Sequence, residues 1–424
     1  MDARAAARVR NFGTSVFSEM SRLAAVHQAV NLGQGFPDFA GPDFVKEAAK
    51  RAIDADLNQY APSHGAARLR EVIAADWQER YGRAVDPDAE VTVTTGATEA
   101  IFDMIQAFVE PGEEVIAFEP FYDSYPASVR MAGGVLRPVT LRPPDWRFDA
   151  DELRKAFTPS TKLLLLNTPH NPTGKVFDQQ ELETIAAICR ERDVLVLTDE
   201  VYERIVFDGA VHVPMATLPG MWERTLTINS TGKTFSMTGW KIGYAVGPVA
   251  LHAPLRAVHQ FVTFATATPF QDAMATAMEQ CRTNGYYVQL QRDYTDRRDA
   301  LRAVLADIGW EPFPVRGSYF LSVDVASLPF ADDVAFCRWL TAEIGVAAIP
   351  TSAFYHAPSR APNHARFCFA KRLETIAEAE RRLAKVPDAL RRMELADVRH
   401  ETLKEGELEQ HRRGAGGNPL PTDR

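Results

Sequence analysis

Between residues 91 and 284, short apolar runs alternate with helix-patterned stretches, and each run gives way to polar residues or glycine. The runs Val115 to Phe118, Lys162 to Leu166 and Val194 to Leu197 are nearly continuous apolar stretches, and Val91 to Thr94 and Thr225 to Ile228 are short runs in which the only polar residues are threonines. Strands read this way when helices cover both faces of their sheet, so the pattern predicts a mostly parallel α/β sheet. Open sheets of this class bind ligands outside the carboxyl ends of their strands. The residues that close each run are therefore the ones to weigh for chemistry.

The run Thr225 to Ile228 leads into Asn229-Ser230-Thr231-Gly232-Lys233-Thr234, where small residues surround a lysine, and Lys241 follows eight residues later. Gly232-Lys233-Thr234 matches the end of a phosphate-binding P-loop, but that motif needs a glycine five residues before its Gly-Lys pair. Thr227 occupies that position, inside the strand, so the nucleotide reading fails on spacing. A lone lysine is ordinarily just a surface group. At a strand end, partly desolvated, its amine suits a Schiff base with an aldehyde.

At 424 residues the chain exceeds one simple core, which predicts a large domain with a smaller companion. A net charge of -9 argues against nucleic-acid and membrane-surface partners. No apolar run is long enough to span a membrane. Cys189, Cys281, Cys337 and Cys368 lie far apart among apolar residues, without metal-ligand or redox spacing, which predicts buried free thiols. Met1 to Phe12 lacks the apolar core of a secretory signal, so the expected location is the cytoplasm.

Along the chain, helices are expected over 14–30, 43–55 and 66–80, with a Gly- and Pro-rich loop from Asn31 to Phe39 and an aromatic-tipped loop at Asn58-Gln59-Tyr60. Asp178 with Glu181 forms a capping-box pattern ahead of Leu182, Ile185, Ala186 and Cys189. After a long helix near 286–308, strands are expected over 315–325, 345–350 and 366–369, between helices at 332–343 and 373–390. The expected division is an N-terminal segment over 1–45 joining the small domain, a large domain over 46–284, a small domain over 285–393 and a flexible tail over 394–424.

Together the strand-end residues supply what pyridoxal 5'-phosphate requires. Lys233 offers the amine, and Asp199, closing a buried strand, offers a carboxylate to keep a pyridine nitrogen protonated. Asn171 and Tyr202 offer polar groups to the ring oxygen, and Tyr122 an aromatic face. Gly96-Ala97-Thr98 would give helix N-terminal amides to a phosphate, with Ser230 adding a hydroxyl and Lys241 a cation. Singly, Asp199 could cap a helix, Tyr122 fill a core and Asn171 only shape the turn before Pro172. Their coincidence at successive strand ends is what gives the set its meaning.

On these residues the chain resembles the class I/II aminotransferases of pyridoxal-phosphate fold type I, and within them the kynurenine, glutamine and methionine branch. The likeness rests on Asn31 to Phe39, Asn58-Gln59-Tyr60, Asn171-Pro172-Thr173-Gly174, Asp199-Glu200-Val201-Tyr202 and Gly232-Lys233-Thr234-Phe235-Ser236. It implies a large domain with a mostly parallel seven-stranded sheet, a smaller α/β domain, and a homodimer with its sites at the interface. By this resemblance Lys233 carries the cofactor and shuttles the proton, Asp199 pairs with the ring nitrogen, and Asn171 and Tyr202 hold the ring oxygen. Tyr122 stacks on the ring, and Ala97, Thr98, Ser230 and Lys241 bind phosphate with Tyr60 of the neighbouring subunit. Arg366 takes the substrate α-carboxylate, helped by Asn171 and the Gly35 backbone, while Phe17 and Phe264 line the side-chain end. The wider class commonly has arginine at the position of Lys241; the lysine offers a point charge instead of a planar fork, and agrees with the narrower branch.

The expectation is transfer of the amino group of a neutral or aromatic L-amino acid (methionine, glutamine, kynurenine or phenylalanine type) to a 2-oxo acid, by a ping-pong route. The same early chemistry would serve a cysteine-conjugate β-lyase or an N-succinyldiaminopimelate aminotransferase. A non-catalytic pyridoxal-phosphate-binding regulator is a rival of another class, disfavoured because no DNA-binding segment is visible.

Overall fold

The computed structural model describes residues 4–10, 12–13 and 15–395. Its strands in chain order are β1 (Val30–Asn31), β2 (Val91–Thr95), β3 (Glu114–Glu119), β4 (Val135–Thr140), β5 (Thr161–Asn167), β6 (Leu195–Asp199), β7 (Thr225–Ser230) and β8 (Ile242–Val246). They continue with β9 (Phe320–Asp324), β10 (Val346–Ala347), β11 (Ile349–Pro350) and β12 (His364–Cys368).

Seven of them form one sheet in the order β2-β8-β7-β6-β5-β3-β4, parallel except for β8, which runs antiparallel to both neighbours. The leucines of β5, Leu163 to Leu166, are at most 1% exposed, because helices cover both faces. Each such side chain contributes about 1.5–3 kcal/mol by leaving water. The covering helix Gln179–Arg192 begins with the expected capping box: Asp178 accepts from the Glu181 amide, Glu181 accepts from the Asp178 amide, and Leu182, Ile185, Ala186 and Cys189 are buried. All four cysteines are buried free thiols.

The remaining strands form two small sheets. Antiparallel β11-β12-β9 places Arg366 on its middle strand, opposite Ser322 and Ile349, and β1 pairs in parallel with β10. The N-terminal segment is thereby tied to residues some three hundred positions later in the sequence. Its main helix is shorter than expected, Val16–Val26.

Two strands of the large sheet escape the apolar-run criterion. Strand β4 carries Arg137 and Pro138 on a sheet edge, and β8 opens with Gly243 as its second residue. The strand expected over 315–325 is confined to Phe320–Asp324, because Ser318 adopts a φ of 59° and the Arg316 and Gly317 amides both donate to the Gly174 carbonyl. The helix expected over 332–343 is Asp333–Trp339, followed by a π-helical turn at Leu340–Ile344. Helical residues reach 395, so the first two residues of the expected tail are helical, and the rest of that segment lies outside the described residues. Among the described residues, no helix is long and apolar enough to cross a membrane.

Candidate functional site

The carboxyl ends of β2, β3, β5, β6 and β7 open onto one cavity of about 440 Å³, which β9 and β12 close from the other side. Lys233, Asp199, Tyr202, Asn171, Tyr122, Ala97, Thr98, Ser230, Lys241, Gly35, Phe17 and Arg366 all line it. Tyr60 and Phe264 do not line this cavity. They meet edge to face at 5.2 Å on an outer surface, where Tyr60 is 82% exposed.

Lys233 sits on a single helical turn, Thr231–Thr234, whose N-cap is Ser230: the Ser230 hydroxyl accepts from the Gly232 amide at 3.1 Å. The Lys233 amine donates to Tyr319 Oη at 3.0 Å. Burial pushes its pKa down to about 8; nearby Lys241 and Arg366 act in the same sense, while Cys368 and Asp199 oppose them. An amine so placed is neutral far more often than a surface lysine, as a nucleophile requires.

Asp199 ends β6 and is 5% exposed. Its Oδ2 accepts from Tyr125 Oη at 2.6 Å and its Oδ1 from the Val201 amide at 3.3 Å. Burial still raises its pKa, despite these donors and the nearby Lys233, so the carboxylate favours an added cation in the cavity. Tyr202 is 4% exposed, edge-on to Tyr319 at 5.0 Å, and burial raises its phenol. Tyr122 stands against Tyr125 at 5.8 Å, its phenol pushed up to about 12 by burial.

Asn167, at the end of β5, braces the adjoining loop. Its Nδ2 donates to the Asp199 carbonyl and its Oδ1 accepts from the Asn171 amide, both at 2.8 Å. Asn171 Oδ1 in turn accepts from Arg366 Nη1 at 2.9 Å, and Arg366 Nη2 donates to the Gly33 carbonyl at 2.9 Å. Arg366 is 1% exposed, with its guanidinium 4.0 Å over the Phe320 ring and 5.3 Å from that of Phe17. Burial brings its pKa down to about 10, so it stays charged at neutral pH. Its Nε has no hydrogen-bond partner and, among the described residues, no carboxylate pairs with it. A buried, unpaired guanidinium with free donors is a site for an anion.

At the opposite end, the helix Gly96–Phe108 points its first turn into the cavity, and its N-cap Thr95 makes no side-chain bond to that turn. Gly96 has a φ of 78°, and a Cβ added there would lie 2.9 Å from both Cε and Nζ of Lys241. A Cβ on Gly243 would sit 2.4 Å from the Gly96 carbonyl carbon, so both glycines permit the close approach of helix and strand. Lys241 is itself left-handed, with a φ of 57°. Free first-turn amides beside an ammonium group suit a phosphate.

Several cavity residues went unnoticed in the sequence. Tyr125 lies three residues beyond Tyr122, in the first turn of the helix Ser124–Met131 that follows the strand end. Asn167 directly follows the apolar run Lys162 to Leu166, a strand-end position that marks it as much as Asn171. Tyr319, Phe320 and Asp123 carry no local signal.

Residues 27–383 match the family described as aminotransferase class I and II. A probable N-succinyldiaminopimelate aminotransferase of Mycobacterium tuberculosis is 46% identical over 387 residues, covering 89% of this chain and 97% of its own. Kynurenine–oxoglutarate transaminase 1 of Homo sapiens is 41% identical over 398 residues, covering 87% and 94%. The crystal structure of YbdL from Escherichia coli, identified as having a methionine aminotransferase function, superposes with a TM-score of 0.86 at 41% identity, covering 89% and 98%. The chain thus belongs to the class I and II aminotransferases and is a pyridoxal-phosphate-dependent transferase.

Proposed function

We propose that this enzyme moves the α-amino group of a neutral or aromatic L-amino acid to a 2-oxo acid, with Lys233 as cofactor anchor and proton carrier. The observation that carries the substrate reading is Arg366, a buried cation with an unpartnered Nε and, among the described residues, no carboxylate within ion-pair distance.

The cavity's residues fit the cofactor. Lys241 and the first-turn amides at Ala97 and Thr98, with Ser230, would hold its phosphate; Asp199 would face its nitrogen; Asn171 and Tyr202 would face its ring oxygen; Tyr122 would cover the ring. When bound, pyridoxal 5'-phosphate supplies an aldehyde for amines and a sink for the electron pair left at the α-carbon. Arg366 and Asn171, with the Gly35 backbone, would orient the substrate carboxylate and so fix which α-substituent faces Lys233. The Lys233 amine, once free, would take the α-proton and hold it for return, and its lowered pKa suits both directions of transfer. Asp199, held by Tyr125 and Val201, would keep its charge aimed at one point throughout.

The cavity's cations are Lys233, Lys241 and Arg366. Each already has a task in this scheme, so a substrate's second carboxylate would meet Phe17, Phe36 and the carboxyl of Asp123 instead. That favours methionine or an aromatic amino acid over aspartate. The 46% identity to a probable N-succinyldiaminopimelate aminotransferase supports a second reading, in which cations outside this cavity serve the distal carboxylates.

A homodimer belongs to the same proposal. Tyr60, Phe261, Val262 and Phe264 are 82%, 87%, 52% and 45% exposed, an apolar surface suited to burial against a second copy that would receive Tyr60. Boundaries near 46, 285 and 394 are part of it too, supported by a large sheet lying wholly within 91–246. Buried free cysteines support a cytoplasmic location.

The test is a panel of amino-acid donors with a common 2-oxo acid. Methionine or an aromatic amino acid should exceed aspartate in kcat/KM by at least about tenfold, roughly 1.4 kcal/mol. Aspartate as best donor would overturn the reading, and a clear preference for N-succinyldiaminopimelate would establish the second one.

A further inference from the structure

The geometry points to Tyr319 as a positioning residue for proton transfer, one that fixes the direction of the Lys233 lone pair. The inference rests on Lys233 being the proton carrier proposed above. Tyr319 has a single hydroxyl proton, and it is committed: Tyr319 Oη donates to the Gly35 carbonyl at 2.5 Å. A carbonyl oxygen only accepts, so that proton has no alternative role in this contact. Toward Lys233, 3.0 Å away, the hydroxyl therefore presents lone pairs alone. A neutral Lys233 amine meets it with an N–H, which leaves the amine's own lone pair directed away from Tyr319. The α-proton can then pass from its carbon to the Lys233 nitrogen without the amine first breaking a hydrogen bond.

The tyrosine is held for this purpose. It is 0% exposed, stacked on Tyr294 at 6.0 Å, and edge-on to Tyr202 at 5.0 Å and Phe320 at 4.8 Å. The carbonyl it grips belongs to a loop whose neighbours are also tied. Gly33 O accepts from Arg366, while Gln34 O and Phe36 O accept from Lys371 Nζ at 3.2 and 2.9 Å. The loop that receives the substrate carboxylate and the amine that receives the α-proton thus share one hydrogen-bonded chain: Arg366, Gly33 to Gly35, Tyr319, Lys233.

Tyr319→Phe keeps the ring and its packing and removes only the oxygen. In the holoenzyme kcat for methionine should fall about tenfold with KM changed less than about twofold. The kinetic isotope effect with α-deuterated methionine should rise, because proton removal becomes more limiting. The visible-absorbance titration of the resting holoenzyme, a readout separate from turnover, should shift its midpoint. Replacing Tyr319 with 3-fluorotyrosine, a weaker acceptor of the same shape, should give an intermediate kcat and covers the case of a poorly folding Phe variant. A purely packing role predicts wild-type kcat, isotope effect and titration in both proteins, and that result overturns the inference. Borohydride labelling of Lys233 in the same samples separates the two failures: a label elsewhere sinks the Lys233 reading itself, whereas a label on Lys233 with unchanged kinetics sinks Tyr319 alone.

Discussion

Replacing Arg366 with lysine keeps the charge and removes the fork. The guanidinium has five N–H donors, of which one goes to Asn171 Oδ1 and one to Gly33 O, each at 2.9 Å. The others, among them the unpartnered Nε–H, remain for a substrate carboxylate. Two charge-assisted bonds to that carboxylate contribute about 1.5–3 kcal/mol each. Lysine, lying 4.0 Å or more above Phe320 if it follows the same path, would keep the attraction and one bond, and would leave Asn171 Oδ1 or Gly33 O without its donor. A net loss of about 3 kcal/mol follows, roughly a hundredfold in kcat/KM. Single-turnover rates should be measured with L-methionine and with its decarboxylated analogue, 3-(methylthio)propylamine. Methionine should lose about a hundredfold while the amine, having no carboxylate, changes by less than roughly threefold. Equal losses on both would mean that Arg366 supports the fold or the cofactor, and would refute the carboxylate assignment.

Asp199→Asn keeps the shape beside Tyr125 but removes the charge, so kcat should fall by about 3–4 kcal/mol of transition-state stabilisation while cofactor affinity changes less; a near-wild-type single-turnover rate would exclude Asp199 from its role. Inactive Lys233→Ala and Tyr60→Ala subunits, mixed under conditions of verified exchange, should regain activity through one intact hybrid site, and no recovery counts against a shared site. Asp103 is fully buried with neither carboxylate oxygen hydrogen-bonded; burial, then Glu99, push its pKa up to about 7, only partly offset by His259, whose Nδ1 lies 3.8 Å from Oδ2. A carboxyl whose folded pKa is raised destabilises progressively as pH climbs from its unfolded value near 4 to about 7, and the cost stays constant above that. Asp103→Asn should therefore stabilise the protein by roughly 2 kcal/mol at pH 8 and by almost nothing at pH 4, measured against wild type by denaturant unfolding; an equal effect at both pH values would contradict the buried-charge account.

The large sheet was legible because its strands are buried on both faces and so leave unbroken apolar runs, as Leu163 to Leu166 do. Strands without that environment left no such trace, edge strand β4 with Pro138 and glycine-containing β8 among them. The same contrast governs the site. Lys233, Asp199 and Asn171 follow strand ends, so topology alone brings them together. Tyr125 and Tyr319 act through partners 74 and 86 positions away, and the grip of Tyr319 on Gly35 spans 284. Nothing local in the sequence marks a tyrosine whose partner is supplied by tertiary packing. Tyr60, expected to serve a neighbouring subunit, lies outside the cavity, and Phe264, expected at the cavity's side-chain end with Phe17, packs against Tyr60 instead of lining it.

The central claim is that Lys233 holds the cofactor, and borohydride reduction of the holoenzyme followed by peptide mapping tests it most directly. Lys233 has the amine pushed down to about 8 beside Asp199, whereas Lys241 is set against Gly96 and Lys175 is held by both carboxylate oxygens of Glu181 at 2.7 and 2.8 Å. The account predicts a pyridoxyl label on the peptide containing Lys233 and its loss in Lys233→Ala. A label on Lys241, Lys175 or Lys371 would contradict it.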